Sequence, residues 1–220
     1  MENDINNLLA KLAIAEIDQL SLTDNNEPYQ KMVELGKKYQ DKYQDIPISE
    51  IPGVNKSRDL FKKIGIDPTK RRPSSESLLR RGLKDKGFFS INLLVDIGNW
   101  CSLEFLLPIC VYDSDSIKGR LIGRIGKEGD GYIAIDNKYL DLNGRYLISD
   151  ENGALGSPIK DSLRTKVTNL TKSAKLLIYA PHYMKDKELF DYHQIFIDRV
   201  LSYCGGELKS QYLALTEKEE

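Results

Sequence analysis

Histidine is scarce in this sequence: 220 residues hold only His182 and His193. Cysteine is nearly as rare, and Cys101, Cys110 and Cys204 show no metal-type spacing. No GxxxxGK followed by Ser or Thr, no GxGxxG, no GxSxG and no HExxH occurs. These absences remove the common nucleotide, hydrolase and zinc signatures, and no metal or cofactor is implied. His182 follows Pro181 near a strand end. His193 lies in an amphipathic segment and reads as a surface or packing residue, not a base. An excess of charge is missing too: 32 basic and 33 acidic residues leave a net charge of −1. That argues against a broad electrostatic grip on nucleic acid and leaves room only for a local basic patch. No run approaches the roughly 18 apolar residues of a membrane span. The N-terminus lacks the basic start and apolar core of a signal peptide, so a soluble cytoplasmic protein is expected. Internal repeats and low-complexity segments are absent as well.

What stands out instead is Ile91 to Asp113, INLLVDIGNWCSLEFLLPICVYD. Asn92, Asp96, Asn99 and Ser102 fall three or four residues apart, which on a helix puts all four on one side. Leu93, Leu94, Ile97, Cys101 and Phe105 take the other side. A helix apolar on most sides should be buried, and a polar stripe on it must meet hydrogen-bond partners or a ligand cavity. Both outcomes stay open on this stretch alone. Cys101 and Cys110 read as buried thiols.

The remaining pattern predicts an ordered series of short elements. Lys11–Leu22 alternates as a first strand, and Glu27–Tyr43 forms a polar helix. Ser57–Ile64 reads as a short helix capped by Ser57. Glu76–Arg81 reads as another, capped by Ser74 or Ser75 and stopped by Gly82. The long apolar helix Ile91–Leu107 ends before Pro108. Ile109–Tyr112, Leu121–Ile125, Tyr132–Ile135, Tyr146–Ser149 and Lys175–Tyr179 are strand candidates. A helix over Lys187–Tyr203 closes at Gly205-Gly206, and the tail after Leu208 is expected to fray. Helices early and strands late indicate an α+β domain. Residues 1–186 are expected to form it, with residues 187–220 as a C-terminal helix and tail packed on the same domain.

Two basic clusters draw attention. Lys70, Arg71, Arg72, Arg80 and Arg81 put five cations within twelve positions. They suit phosphate contacts, or salt bridges to Glu76 and its neighbours. Lys160 to Thr168, KDSLRTKVT, is dense in donors and follows the glycine-rich stretch Asn152 to Pro158. It reads as a pocket lining or as a plain surface loop.

The motifs FKKIGIDPTKRRPSSESLLRR, INLLVDIGNWCSLEFLLPICVYD, IKGRLIGRIGKEGD and RTKVTNLTKSAKLLI, taken in this order, carry a resemblance. From roughly Leu12 to Tyr179 the chain resembles free-standing relatives of the editing domain in the phenylalanyl-tRNA synthetase beta subunit, the B-three/B-four domain. The synthetase domain has a similar asparagine–valine–aspartate helix, matched here by Asn92, Val95 and Asp96. Its second asparagine matches Asn99, and Pro108 follows nine residues later as in the family. That resemblance implies an α+β fold with mixed β-sheets flanked by helices around a pocket. In the synthetase that pocket hydrolyses tyrosine wrongly esterified to phenylalanine tRNA. Gly153 and Gly156 resemble its glycine-rich wall. The family's threonine before the asparagine is Gly98 here, and its histidine two residues after the proline is Cys110. The glutamate that recognises the tyrosine hydroxyl falls near Leu177.

The resemblance implies a module that binds tRNA or an aminoacyl-tRNA and hydrolyses a mischarged aminoacyl ester. The alternative is a non-catalytic module for a free amino acid or tRNA. On this reading Asn99 and Thr165 carry the chemistry. Ser102, Cys110, Gly153, Gly156, Arg164 and Thr168 line the substrate pocket, and Lys70, Arg71, Arg72, Arg80 and Arg81 contact RNA. Neither a membrane nor DNA is an expected partner. The chain is too short to hold an aminoacylation site.

Overall fold

Strand β1, Leu8–Asp18, is the axis of the molecule. Its residues alternate between two cores, with Ala13, Ala15 and Ile17 on one face and Leu12 and Ile14 on the other. Such two-sided burial needs a layer on each face. The computed structural model describes residues 7–217. β1 is central in a four-stranded sheet of order β2-β8-β1-β9, formed with β2 (Ile109–Asp113), β8 (Ala174–Pro181) and β9 (Glu207–Glu217). All three pairings are antiparallel.

The long apolar helix, α4 (Leu93–Phe105), packs on one face with the C-terminal helix α5 (Asp186–Cys204). Leu94, Ile97, Cys101, Leu189, Phe196 and Val200 are buried between helices and sheet. Each large apolar side chain buried there contributes roughly 1.5–3 kcal/mol. The opposite face is covered by α2 (Val54–Lys63) and by a three-stranded sheet of β3 (Ile122–Ile125), β6 (Tyr146–Asp150) and β7 (Gly153–Gly156). β4 (Gly131–Ile133) and β5 (Tyr139–Asp141) form a small hairpin beside it. A third apolar cluster joins α1 (Glu27–Tyr43) and α3 (Ser74–Leu83) to the far side of α4. Among the described residues no helix is long and apolar enough to cross a membrane.

Several boundaries differ from the sequence expectation, each for a physical reason. α2 starts at Val54 after a left-handed Gly53 (φ 96°), and Ser57 sits inside it, bonding back to Val54 O. α3 begins directly after Pro73. It runs through Gly82 because that glycine meets Gly36 of α1: a Cβ on Gly82 would lie 3.0 Å from Gly36 Cα. As far as residue 217, the last described, the tail does not fray. Residues 207–217 pair along nearly all of β1, and Thr216 Oγ1 receives bonds from Ala10 N and Tyr146 OH and donates to Ala10 O. His193 is a fully buried packing residue, its pKa pushed down to about 4 by burial.

Candidate functional site

The polar stripe on α4 divides into structural and free groups. Asn92 is the N-cap, its Oδ1 accepting from Val95 N at 3.0 Å. Asp96 is buried and accepts from Ser90 Oγ at 2.5 Å and Ile91 N at 3.0 Å, which fixes the chain entering the helix. Ser102 donates to Leu107 O at 2.7 Å and closes the reversal made by a left-handed Leu106 (φ 55°). Asn99 alone of the four makes no side-chain hydrogen bond among the described residues, and it lines a cavity.

That cavity, about 320 Å³, lies between α4, β2 and two loops. Ile91, Val95, Gly98, Ile109, Val111, Ile135 and Val167 give it apolar walls. Its polar lining is Asn99, Cys110, Asp161 and Lys166. Exposed Ile91 and Ile135 stand among the lining residues, so apolar surface is open to solvent there. A concave, largely apolar site with a few convergent polar groups is what a small ligand requires.

Asp161 is held in place by its own backbone. Residues 160–162 are clamped between β7 and the β4 hairpin by Ser157 N to Lys160 O, Ser162 N to Leu155 O and Ile135 N to Asp161 O. Asp161 Oδ1 is buried without a hydrogen-bond partner. Burial raises its carboxyl to about 6, although the Cys110 thiol and Tyr112 phenol beside it favour the ionised form. Burial, and next the charge of Asp161, push the Cys110 thiol well above its ordinary range, so it stays protonated. Beneath them Tyr112 OH meets Tyr179 OH at 3.2 Å.

The other expected pocket residues have duties elsewhere. Thr165 is buried, its hydroxyl shared with Ser162 Oγ at 2.9 Å and Leu155 O at 3.3 Å. Arg164 turns away to Asp150 and to Ser116 O. Thr168 is exposed and accepts from Leu170 N. Gly153 provides a positive-φ turn (φ 105°). Gly156 makes room for Tyr112, whose hydroxyl would lie 2.1 Å from any added Cβ. The donor-rich segment therefore does reach the cavity with Asn99, but through Asp161, Lys166 and Val167. Leu177 is buried directly across the sheet from Cys110. Sequence reasoning missed Asp161 and Lys166, although both lie in the segment it singled out. A loop pattern does not say which side chains turn inward.

Comparison with known proteins decides the family. The model of the B3/4 domain matches residues 56–184, more than half of the chain. This chain belongs to the B3/4 domain family. It is similar to the phenylalanine–tRNA ligase beta subunit of Brucella abortus, 39% identical over 85 residues, covering 38% of this chain and 10% of the relative. The Neisseria gonorrhoeae beta subunit is 32% identical over 91 residues, covering 41% and 12%. The chain thus spans about a tenth of the length of these relatives. A solved N-terminal fragment of the phenylalanyl-tRNA synthetase beta subunit from Pyrococcus horikoshii aligns with a TM-score of 0.48 at 13% identity, covering 92% of this chain and 50% of that one.

The basic residues of this B3/4 domain also separate. Lys70 and Arg71 are exposed and line a second cavity, about 250 Å³, together with Arg145. Arg72 is exposed beside them. Arg80 instead joins Arg58 on the buried carboxylate of Glu76, with Nε–O distances of 3.0 and 2.7 Å. Arg81 bonds Gly87 O and Lys86 O and lies over the Phe89 ring, 4.3 Å from its centroid. Lys70, Arg71 and Arg145 thus line the exposed second cavity with Asp67, while Arg80 and Arg81 are engaged with protein partners.

Proposed function

We propose that this B3/4 domain binds the aminoacylated end of a tRNA in the Asn99–Asp161 cavity and hydrolyses a wrongly formed aminoacyl ester. The observation that carries this reading is the free Asn99 amide lining a largely apolar cavity of amino-acid size; the sequence resemblance matches the same residue to the family's pocket asparagine. Family membership and the likeness to tRNA ligase beta subunits support a tRNA-related ligand.

In the proposed reaction water attacks the ester carbonyl, the C–O bond to the ribose breaks, one water proton ends on the ribose oxygen, the other passes to solvent, and the amino acid leaves as a carboxylate. Cys110 does not attack, because a protonated buried thiol is a poor nucleophile. Asn99 can donate its amide N–H to the developing oxyanion or hold the attacking water; one such donor is worth about 10²–10³ in rate. Thr165, tied to Ser162 and Leu155, supports the wall and takes no direct step. With a leucine near the position of the hydroxyl-reading glutamate, selectivity for tyrosine should be weak, since no polar group there would be left unpaired by an apolar side chain. The test is release of labelled amino acid from a panel of correctly and wrongly charged tRNAs. The second reading, a non-catalytic receptor for the same aminoacyl end, is favoured by the absence of histidine at Cys110. Binding without release would establish it.

A further inference from the structure

We infer that Asp161 is the receptor for a primary ammonium group, so that the cavity takes an aminoacyl group with a free α-amine and an apolar side chain. The inference rests on the proposed aminoacyl-binding reading and names the chemistry of its ligand.

A buried carboxylate needs hydrogen-bond donors or a cation to remain charged. Asp161 has too few. Its Oδ1 is buried and unpartnered, yet the residue lines the cavity. The titratable groups that face it are Cys110 and Tyr112 from β2, Tyr132 from β4 and Tyr179 from β8, and none of them is basic. Lys166 lines the same cavity but sits exposed. The empty site therefore holds an acid whose charge is under-compensated, pushed towards its neutral form by burial. An ammonium entering the cavity would supply the missing countercharge through a charge-assisted bond to the Asp161 carboxylate. The remaining walls are apolar, with Val95, Ile109, Val111 and Val167 offering nothing for a polar side chain to bond. Asn99 then stands where the acyl carbonyl of the same ligand can be met. Cation and carbonyl are thus read by separate residues.

Because the unliganded carboxylate is under-compensated, Asp161→Asn should melt at a higher temperature than wild type at pH 7 while losing its ligand. A merely structural aspartate would move both in the same direction. Affinity for the free-amine compounds should also fall as the pH drops through about 6, where Asp161 takes up a proton.

The experiment is calorimetric titration of the full chain with non-hydrolysable 3′-aminoacylamino-adenosines carrying a leucyl or phenylalanyl group. Each is compared with its N-acetyl and desamino counterparts. The expected result is binding of the free-amine compounds at least ten-fold tighter than either counterpart in wild type, with the ratio falling to about one in Asp161→Asn. Equal binding of free-amine and desamino compounds by wild type would overturn the role of Asp161 and leave the aminoacyl reading standing. Loss of turnover in Asp161→Asn with unchanged free-amine affinity would overturn it in favour of a proton-transfer role. Failure of wild type to bind any of the compounds would overturn the aminoacyl reading itself, and the ammonium receptor with it.

Discussion

Arg164 holds Asp150 with both arms of its guanidinium, Nη1 3.0 Å from Oδ2 and Nη2 2.9 Å from Oδ1. The pair anchors the segment that brings Lys166 and Val167 to the cavity, two and three residues further on. Burial alone would raise the Asp150 carboxyl. The Arg164 guanidinium and the backbone N–H groups of Lys118 and Asn152 outweigh it and hold the group below its ordinary value. A lowered carboxylate contributes stability that is present above its unfolded pKa and lost as pH falls through the folded one. Arg164→Ala should cost roughly 1.5–3 kcal/mol at pH 7, the worth of a charged hydrogen bond. The difference from wild type should shrink below about pH 4, the unfolded aspartate value. Denaturant melts at pH 7 and pH 3 would read both. An unchanged melt at pH 7 would show that the pair does not secure the loop.

The basic residues should divide by function. Arg71→Glu and Arg145→Glu should each weaken tRNA binding and flatten its salt dependence by about one unit of slope, as loss of a phosphate contact does. Arg80→Ala should leave affinity intact and lower the melting temperature, because the buried Glu76 carboxylate loses one of its two guanidinium partners. Filter binding over a salt series measures the first pair, and a melt measures the last. Equal effects on affinity from all three would mean that the ion pair on Glu76 opens to RNA.

Gly98 is a cavity residue with space for a methyl group. A Cβ there would meet Ile109 Cγ2 and Val111 Cγ1 at 3.7 Å and Phe196 Cζ at 3.9 Å, ordinary contact distances. Gly98→Ala should therefore raise stability by up to about 1 kcal/mol, the helix-propensity difference, and weaken ligand binding by narrowing the cavity. A variant that gains stability and keeps full affinity would place the ligand elsewhere.

Strand β9 should be indispensable. Thr216→Val would leave Ala10 N and Tyr146 OH without their acceptor, at a cost of roughly 1–3 kcal/mol. Deleting residues 207–217 would uncover the long edge of β1 and should give an aggregating chain. A soluble truncated protein with a cooperative melt would contradict this.

The fold was readable where periodicity was strong. Glu27–Tyr43 matches the helix in the sequence pattern, and α4 and α5 fall within two residues of it. The short strands β3 and β4 overlap the candidates Leu121–Ile125 and Tyr132–Ile135, whereas Tyr139–Asp141 and Gly153–Gly156 carry too little alternation to be seen. β9 was hidden for another reason. Leu208, Gln211, Tyr212 and Leu215 do not alternate cleanly, because this edge strand is only partly buried and takes its order from β1. In the site, Asn99 was legible because a polar residue on an apolar helix must be explained. Asp161 was not, because its importance comes from a tertiary clamp that turns it inward among Cys110, Tyr112 and Tyr179. Likewise Thr165, Ser102 and Arg164 look like ligand-binding residues in sequence, and only the structure reveals the carbonyls and carboxylate that occupy them.

The most direct measurement is a single-turnover deacylation time course on the charged-tRNA panel, run for wild type, Asn99→Ala and Cys110→Ala. Wild type should release at least one wrongly attached amino acid well above the uncatalysed rate. Asn99→Ala should be slower by about ten-fold or more, on the scale of a lost oxyanion donor, and Cys110→Ala should retain most of the activity. A folded Cys110→Ala protein without activity would establish a thiol mechanism instead, and no release by wild type from any charged tRNA would contradict the editing function outright.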